Sequence, residues 1–201
     1  SECLVGSEMC IRDSNRLINE SARRSAYLRP GSRYSVDSLK QVRIDIANRL
    51  RNKGYYFFSP EYIEYLADST ITKGAIALKL DLAANIPSWA MKSYKVGRIT
   101  TVINRNSGTG TPDTFRTDRG TVIQMQPSHL RRKLIPECIA FRTGKTFSVR
   151  DMNRTQTYLS RLGIFSEIDI SAIPDTLAPE PTLDIDINCR FDKPLEATVE
   201  V

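Results

Sequence analysis

Few residues of this chain have types and spacings that could do chemistry. His129 is the single histidine of the sequence, and basic residues follow it at 131–133. A catalytic histidine needs a nucleophile and an orienting acid, and the sequence around His129 supplies neither. Residues 107–110, Ser-Gly-Thr-Gly, lack the Lys-Ser/Thr ending of a phosphate-binding loop. The sequence therefore predicts a protein that is not an enzyme, with no catalytic residue, no metal ligand and no cofactor.

Cys138 and Cys189 could be buried apolar side chains, a redox pair or metal ligands. Burial is favoured because Cys189 falls on the apolar face of an alternating strand pattern. Asp184 and Asp186 alternate with apolar residues in the same stretch. This spacing places them on the solvated face of a strand, so we interpret them as surface residues rather than an acid/base pair.

The other two cysteines lie in an N-terminal stretch, residues 3–14, that resembles the translated end of a transposase sequencing adapter. Scars of this kind do not belong to the fold. We therefore expect residues 1–14 to be non-native and the natural chain to begin near Asn15.

The chain has 201 residues and a net charge of +6, with 40% hydrophobic and 26% charged residues. This composition supports a folded core, and no apolar run is long enough for a membrane-spanning helix. Basic clusters leave an RNA-binding α+β protein open as an alternative, and anionic lipid head groups are a further candidate partner. Acidic residues in the strand patterns and the lack of an exposed aromatic platform argue against nucleic acid. The basic clusters comprise Arg23, Arg24, Arg29 and Arg33; Arg43, Arg49, Arg51 and Lys53; and residues 131–133.

An internal repeat organises the rest of the chain. Residues 142–150 repeat the Arg, Gly, aromatic, Ser and Val positions of residues 29–37 at a constant offset of 113. In each copy the glycine permits a turn, and the serine, Ser35 or Ser148, can cap the helix that follows. Ser148 and Asp151 also have the spacing of a capping box.

Helical and strand patterns follow each copy of the repeat. Apolar spacings of three and four predict helices at 36–53 and from 149 onward, with a further helix at 15–27 and a short one ending at Pro136. Together with the strands, these helices predict an α+β protein of two units of strand-helix-helix-strand-strand order, in which two helices lie behind a three-stranded mixed sheet and the first unit lacks its opening strand. The predicted strands are 62–67, 75–82, 94–103, 165–170 and 183–191.

This order of elements resembles two tandem POTRA domains, and more closely the periplasmic part of the BamA/TamA-type outer-membrane protein assembly and translocation family. The phrases that carry the resemblance are residues 50–58 (Leu-Arg-Asn-Lys-Gly-Tyr-Tyr-Phe-Phe), 62–70, 94–99 and 159–165.

The resemblance implies a division of the chain into domains. Residues 15–86 are expected to form a POTRA-like domain without its opening strand, and 87–91 a linker. Residues 92–194 are expected to form a second POTRA-like domain with an insertion at 104–121, which is interpreted as a flexible hairpin or insertion. Residues 195–201 alternate apolar and polar side chains and are expected to start a membrane β-barrel that is missing from this chain.

The resemblance also implies a place and a function. The place is the periplasmic face of the Gram-negative outer membrane. The implied partners are unfolded outer-membrane protein clients, partner subunits of the assembly machine and the chain's own missing barrel. The alternatives are a nucleic-acid-binding protein and a periplasmic scaffold that binds partner subunits only.

The implied mechanism is β-augmentation, in which an extended client pairs with an open sheet edge through main-chain hydrogen bonds. We expect the strand after the second helix of each unit to provide that edge. The candidate client-binding residues are Tyr62, Ile63, Glu64, Tyr65, Leu66, Phe165, Ser166, Glu167, Ile168, Asp169 and Ile170.

Overall fold

The computed structural model describes residues 18, 20, 35–72, 75–104, 112–125 and 131–191. The chain divides into two compact units, Ser1–Ser93 and Tyr94–Val201. Several predictions from the sequence lie outside the described residues: the non-native segment 1–14, the opening strand, most of the helix at 15–27, the first basic cluster, His129 and the barrel strand at 195–201.

The first unit packs one long helix against an antiparallel strand pair. Two short 3-10 helices flank the pair. The second of them lies where a linker was expected, and its Ala90 is fully buried because this stretch is apolar and packs on the core. The elements are α1 (Val36–Arg51), a 3-10 helix (Pro60–Tyr62), β1 (Ile63–Thr72), β2 (Ala75–Leu82) and a 3-10 helix (Ser88–Met91).

Helix α1 begins where the sequence predicts and ends at Arg51, two residues before the predicted end. The Ser35 hydroxyl accepts a hydrogen bond from the Ser38 backbone N–H at 3.1 Å, and the Ser38 hydroxyl in turn accepts from the Ser35 N–H at 3.1 Å. This reciprocal cap satisfies two of the donors that a helix start leaves open. Gly54, with φ of 96°, follows the helix in the left-handed conformation that glycine favours.

The core of the first unit is the apolar face of α1 against the inner side of the sheet. Two side chains fix the helix to the chain that follows it: the Tyr65 hydroxyl donates to the Leu39 carbonyl at 2.8 Å, and Arg51 Nε donates to the Phe58 carbonyl at 2.8 Å. The buried cluster comprises Ile18, Val42, Ile46, Ala47, Leu50, Phe58 and Ile63.

The second unit is a five-stranded mixed sheet in the order β4-β5-β3-β7-β6. Strand β3 pairs parallel with both β5 and β7, whereas β4–β5 and β6–β7 are antiparallel hairpins. The elements are β3 (Lys95–Asn104), β4 (Asp113–Thr117), β5 (Gly120–Gln124), α2 (Leu134–Cys138), α3 (Val149–Arg161), β6 (Phe165–Asp175) and β7 (Thr182–Phe191). The predicted α+β class is confirmed, and its strand-helix-helix-strand-strand order is that of β3, α2, α3, β6 and β7.

The sheet of this unit is wider than the three strands expected, because a hairpin begins within the predicted insertion and joins the sheet through β5. Residues 113–121 are β4, its turn and the first two residues of β5. Exposed Thr114 and Arg116 alternate along β4, and buried Val122 and Gln124 alternate along β5, which gives each strand one inward face. Residues 105–111 of the predicted insertion lie outside the described residues.

The inner face of the sheet packs under α2 and α3. Thr155 of α3 is fully buried, and its hydroxyl donates to the Asp151 carbonyl at 2.9 Å and accepts from the Ala140 N–H at 3.0 Å. A polar residue thus ties α3 to the chain after α2. The predicted capping box of α3 is wrong in detail: Ser148 occupies the N-cap position, but its side chain makes no capping hydrogen bond.

Gly120 provides a test of the β4–β5 hairpin. Its φ is +113°, and a Cβ there would lie 2.4 Å from the Ile99 carbonyl oxygen, so Gly120→Ala should cost about 3 to 5 kcal/mol from backbone strain plus overpacking. Gly163→Ala is the matched control, because Gly163 has φ of +66° but open space around its Cβ position. The control should cost about 1 to 2 kcal/mol. Hydrogen exchange of amides in the second unit measures the loss of stability in both variants. Equal losses of stability would contradict the packing of Gly120 against β3.

Candidate strand-binding edge

Strand β6 lies at one edge of the five-stranded sheet, because among the described residues β7 is the only strand that pairs with it. The opposite side of β3 is occupied by β5 and, nearer its start, by hydrogen bonds with residues 144–147. The edges of this sheet within the described residues are therefore β4 and β6. Strand β6 has eleven residues, which gives an edge about 34 Å long.

Both ends of β6 are irregular, and its middle is regular. A register shift lies between Phe165 and Glu167, where the Ser166 hydroxyl contacts the Arg190 carbonyl at 3.4 Å. Near the other end Pro174 has no N–H to donate. From Glu167 to Ile173 every residue pairs with β7 in register. A bulge and a proline are common ways to blunt an edge strand, and here they leave the central stretch open.

The two faces of β6 differ in chemistry. Ile168, Ile170 and Ala172 pair across with Cys189, Ile187 and Ile185 of β7, which are all buried, so this row faces the helices. The alternate row, Glu167, Asp169, Ser171 and Ile173, lies on the opposite face, which we call the exposed face.

On the exposed face, carboxylates predominate along β6 and β7. Glu167 pairs with Arg190 at 2.9 Å, and both side chains are more than half exposed. Asp169 lies opposite Asn188, and Ser171 lies opposite Asp186. Neither Asp169 nor Asp186 makes an ion pair within 4.0 Å among the described residues.

Asp184, one of the two predicted surface aspartates, has a structural contact. Its carboxylate accepts from the Arg98 N–H at 2.8 Å and from the Arg98 guanidinium at 2.7 Å. These bonds lie at the register shift between Val96 and Ile99, where Gly97 leaves room: a Cβ on Gly97 would lie 2.4 Å from Asp184 Oδ1. Asp184 therefore stabilises the β3–β7 bulge, whereas Asp186 stays on the surface as predicted.

The predicted site residues of the first unit divide between the core and the surface. Tyr62 ends a 3-10 helix rather than starting the strand, and its ring packs 5.6 Å from that of Phe58. Ile63 is fully buried. Glu64 and Leu66 are exposed, with Leu66 half exposed. The side chains of Tyr62 and Ile63 therefore build the core, and those of Glu64 and Leu66 face solvent.

Tyr65 anchors β1 to the helix α1. Besides its hydrogen bond to α1, its ring lies 4.9 Å from the guanidinium carbon of Arg43. Burial raises the pKa of Tyr65, and the Arg43 charge opposes that rise. The hydroxyl therefore stays protonated at neutral pH and keeps its role as a donor.

Strand β4 is the other edge of the second sheet, and sequence analysis missed it. It has five residues, and Arg132 covers its inner row: the guanidinium bonds Asp113 at 3.0 Å and lies 5.3 Å from the Phe115 ring centroid. Its alternating Thr114 and Arg116 were a signal that could have identified it. Strand β6 runs to Asp175, five residues past its predicted end at Ile170. The prediction stopped short because Ala172, Ile173 and Pro174 break the clean alternation of the preceding residues.

The two described cysteines are buried thiols, as the sequence predicts. Burial and the neighbouring Cys138 raise the pKa of Cys189 to about 12. Burial and the charge of Glu137 raise that of Cys138. Among the described residues, no three His, Cys, Asp or Glu side chains are arranged to hold a metal ion.

None of the helices in the described part of the chain is long and apolar enough to cross a membrane.

No protein-family model matches the chain, and no curated protein matches its sequence. Its structure is similar to solved structures of POTRA domains. The crystal structure of Haemophilus influenzae BamA POTRA3-5 is 11% identical with a TM-score of 0.46, over 89% of this chain and 55% of that one. The N-terminal domain of Omp85 from Thermosynechococcus elongatus is 12% identical with a TM-score of 0.40, over 90% and 60%.

A structure of POTRA1-2 of the periplasmic domain of Omp85 from Anabaena is 15% identical with a TM-score of 0.36, over 98% of this chain and 91% of that one. The chain spans little more than half the length of the first two structures.

The buried cysteines give a second prediction. In a chain carrying Cys3→Ser and Cys10→Ser, the thiols of Cys138 and Cys189 should react with a disulfide reagent very slowly at pH 8, because both are buried and protonated. In denaturant both should react quickly. An exposed cysteine introduced by Asp37→Cys in the same background should react at once and controls for reagent access. Rapid reaction of either buried thiol in the folded chain would contradict this packing.

Proposed function

We propose that this chain is the POTRA-type region of an outer-membrane β-barrel assembly or translocation protein, and that it binds unfolded client strands by β-augmentation. The observation that carries the proposal is the regular stretch from Glu167 to Ile173, whose outer side pairs with no other strand in the described part of the chain. An extended segment placed there gains main-chain hydrogen bonds that do not depend on its sequence. A receptor for many unfolded clients requires that property.

The length of the open stretch suits a transient complex. Main-chain pairing over about seven residues adds one strand to a sheet that is already rigid, so only the client loses conformational freedom. The bulge at Phe165 and the proline at Pro174 limit how far the added strand can extend. A bound client is therefore held along only part of its length and can be released toward the membrane barrel.

The first unit supplies a second candidate edge on β1. In the described residues β1 pairs only with β2, and Glu64 and Leu66 are its exposed side chains before residue 67. Tyr65 and Ile63 hold the strand on its inner side. A client that pairs with β1 would therefore meet a strand whose position is already fixed.

The proposal places the chain at the periplasmic face of the Gram-negative outer membrane, with its clients passed on to a membrane barrel. Partner subunits of an assembly machine are further candidate partners. The chain acts here by binding, as a region without enzymatic activity. The exposed carboxylates of β6 and β7 oppose the alternative of nucleic-acid binding at this sheet, because a phosphate backbone is repelled by them.

Hydrogen exchange tests the proposal directly. A neutral peptide of about nine residues, alternating threonine and valine, should slow exchange in the 167–173 segment of β6 on the full chain. The amides of β7 serve as the internal reference, because they already bond to β3 and β6. A copy of the peptide that is N-methylated at alternate residues should give no protection, since it cannot complete the ladder. Protection by both peptides, or by neither, would contradict β-augmentation at β6.

A further inference from the structure

The two side-chain rows of β6 impose different requirements on any strand added beside it. The inner row, Ile168, Ile170 and Ala172, continues the apolar layer beneath the helices. The exposed row carries Glu167 and Asp169. Directly paired residues on neighbouring strands have Cβ atoms about 4.5–5.5 Å apart, so each row meets one row of the client.

We propose that the β6 edge selects extended segments whose side chains alternate between apolar and basic residues. This inference rests on the proposed function and specifies its client class. The apolar residues of the client extend the inner layer past Ile168 and Ile170. Its lysine or arginine residues lie beside Asp169 and Glu167 on the exposed face.

Asp169 is the main determinant of this preference. It lies on the edge strand, it is exposed, and it makes no ion pair among the described residues. Glu167 already forms an ion pair with Arg190 at 2.9 Å, so it contributes less to the preference for basic clients. Asp186 lies one strand further in, opposite Ser171, about 10 Å from an added strand, where salt screens much of its effect.

The same charges disfavour the other occupants of this edge. A second copy that paired through its own β6 would bring Glu167 and Asp169 close to the same carboxylates, which is destabilising. Strand β4 of a second copy offers only five residues, and Arg132 is already engaged with Asp113 there. Charge complementarity therefore favours a separate basic and apolar segment.

The net charge of the chain allows the effect of the β6 carboxylates to be separated from the effect of the overall charge. At +6, the whole chain repels a basic peptide and attracts an acidic one. Preference for a basic peptide must therefore come from a local group of carboxylates. Only a local group of carboxylates, such as the exposed row of β6, would make a positively charged chain bind the basic peptide more tightly than the acidic one.

The experiment compares three peptides of about nine residues on the full chain, which alternate valine with lysine, threonine or glutamate. Binding is followed by fluorescence anisotropy of a label on the peptide. We expect the Lys/Val peptide to bind about tenfold more tightly than the Glu/Val peptide at low salt, with Thr/Val between them. The preference should shrink as salt is added.

Two charge reversals locate the effect. Asp169→Lys should weaken Lys/Val binding about tenfold and strengthen Glu/Val binding, because it replaces an attraction by a repulsion. Glu137→Lys is the matched control: it makes the same change in net charge at an exposed position of α2, away from the β6 edge. It should change each affinity less than twofold. Circular dichroism melting of both variants excludes loss of the fold as the cause.

The outcomes separate the two proposals. If all three peptides bind equally and their N-methylated copies do not bind, the charge preference is wrong and β-augmentation stands. If no peptide binds, the proposed function fails. If N-methylation leaves Lys/Val binding intact, the peptide binds without strand pairing, and both fail. Equal effects of Asp169→Lys and Glu137→Lys, or self-association that Asp169→Lys abolishes, would also overturn the inference.

Discussion

The hydrogen bonding of β7 on both of its sides is the constraint on which the rest of the second unit depends. β7 pairs parallel with β3 and antiparallel with β6, and its residues Leu183, Ile185 and Ile187 are fully buried. Because β3 occupies one side of β7, its hairpin partner β6 lies on the other side, and no further strand among the described residues pairs with β6. The edge at β6 is therefore a direct consequence of the strand order.

The chain protects this edge only in part. Bulges, prolines and charges normally keep an edge strand from pairing with other chains. Here the bulge and Pro174 lie at the two ends, and the charges in between are all of one sign. Carboxylates of one sign deter self-pairing but not pairing with a basic segment. The same residues thus oppose aggregation of the chain with itself and favour a particular kind of client.

Local signals predicted much of this fold. The capped start at Ser35, the amphipathic α1 and the alternating β7 are each specified by residues within one element, so their patterns are visible in the sequence. The sequence indicated a flexible hairpin or insertion in this region but neither its strands nor their pairing with β3, because the strands are short and the pairing is non-local. Gly120 is the clearest example: its need for glycine comes from the Ile99 carbonyl, some twenty residues earlier.

The client-binding residues stay a prediction, and the structure adds the strand order and register around them. Sequence analysis placed clients at 165–170, and the structure shows that this segment belongs to the edge strand β6. The sequence could not show which residues share a face with Asp186, because that depends on the register of β6 against β7. In the first unit, Tyr65 was expected to contact clients, yet its hydroxyl bonds to α1. Whether a side chain of the strand anchors it to the core or faces solvent depends on the packing, which the sequence alone does not show.

The central claim is that a client becomes the sixth strand of the second sheet, next to β6. Solution NMR of the full chain with an isotope-labelled Lys/Val peptide tests it most directly, because paired strands give cross-strand contacts between backbone protons. The account predicts such contacts between the peptide and residues 167–173 of β6. Contacts confined to β4, to the exposed face of β3 or to the helices would contradict it.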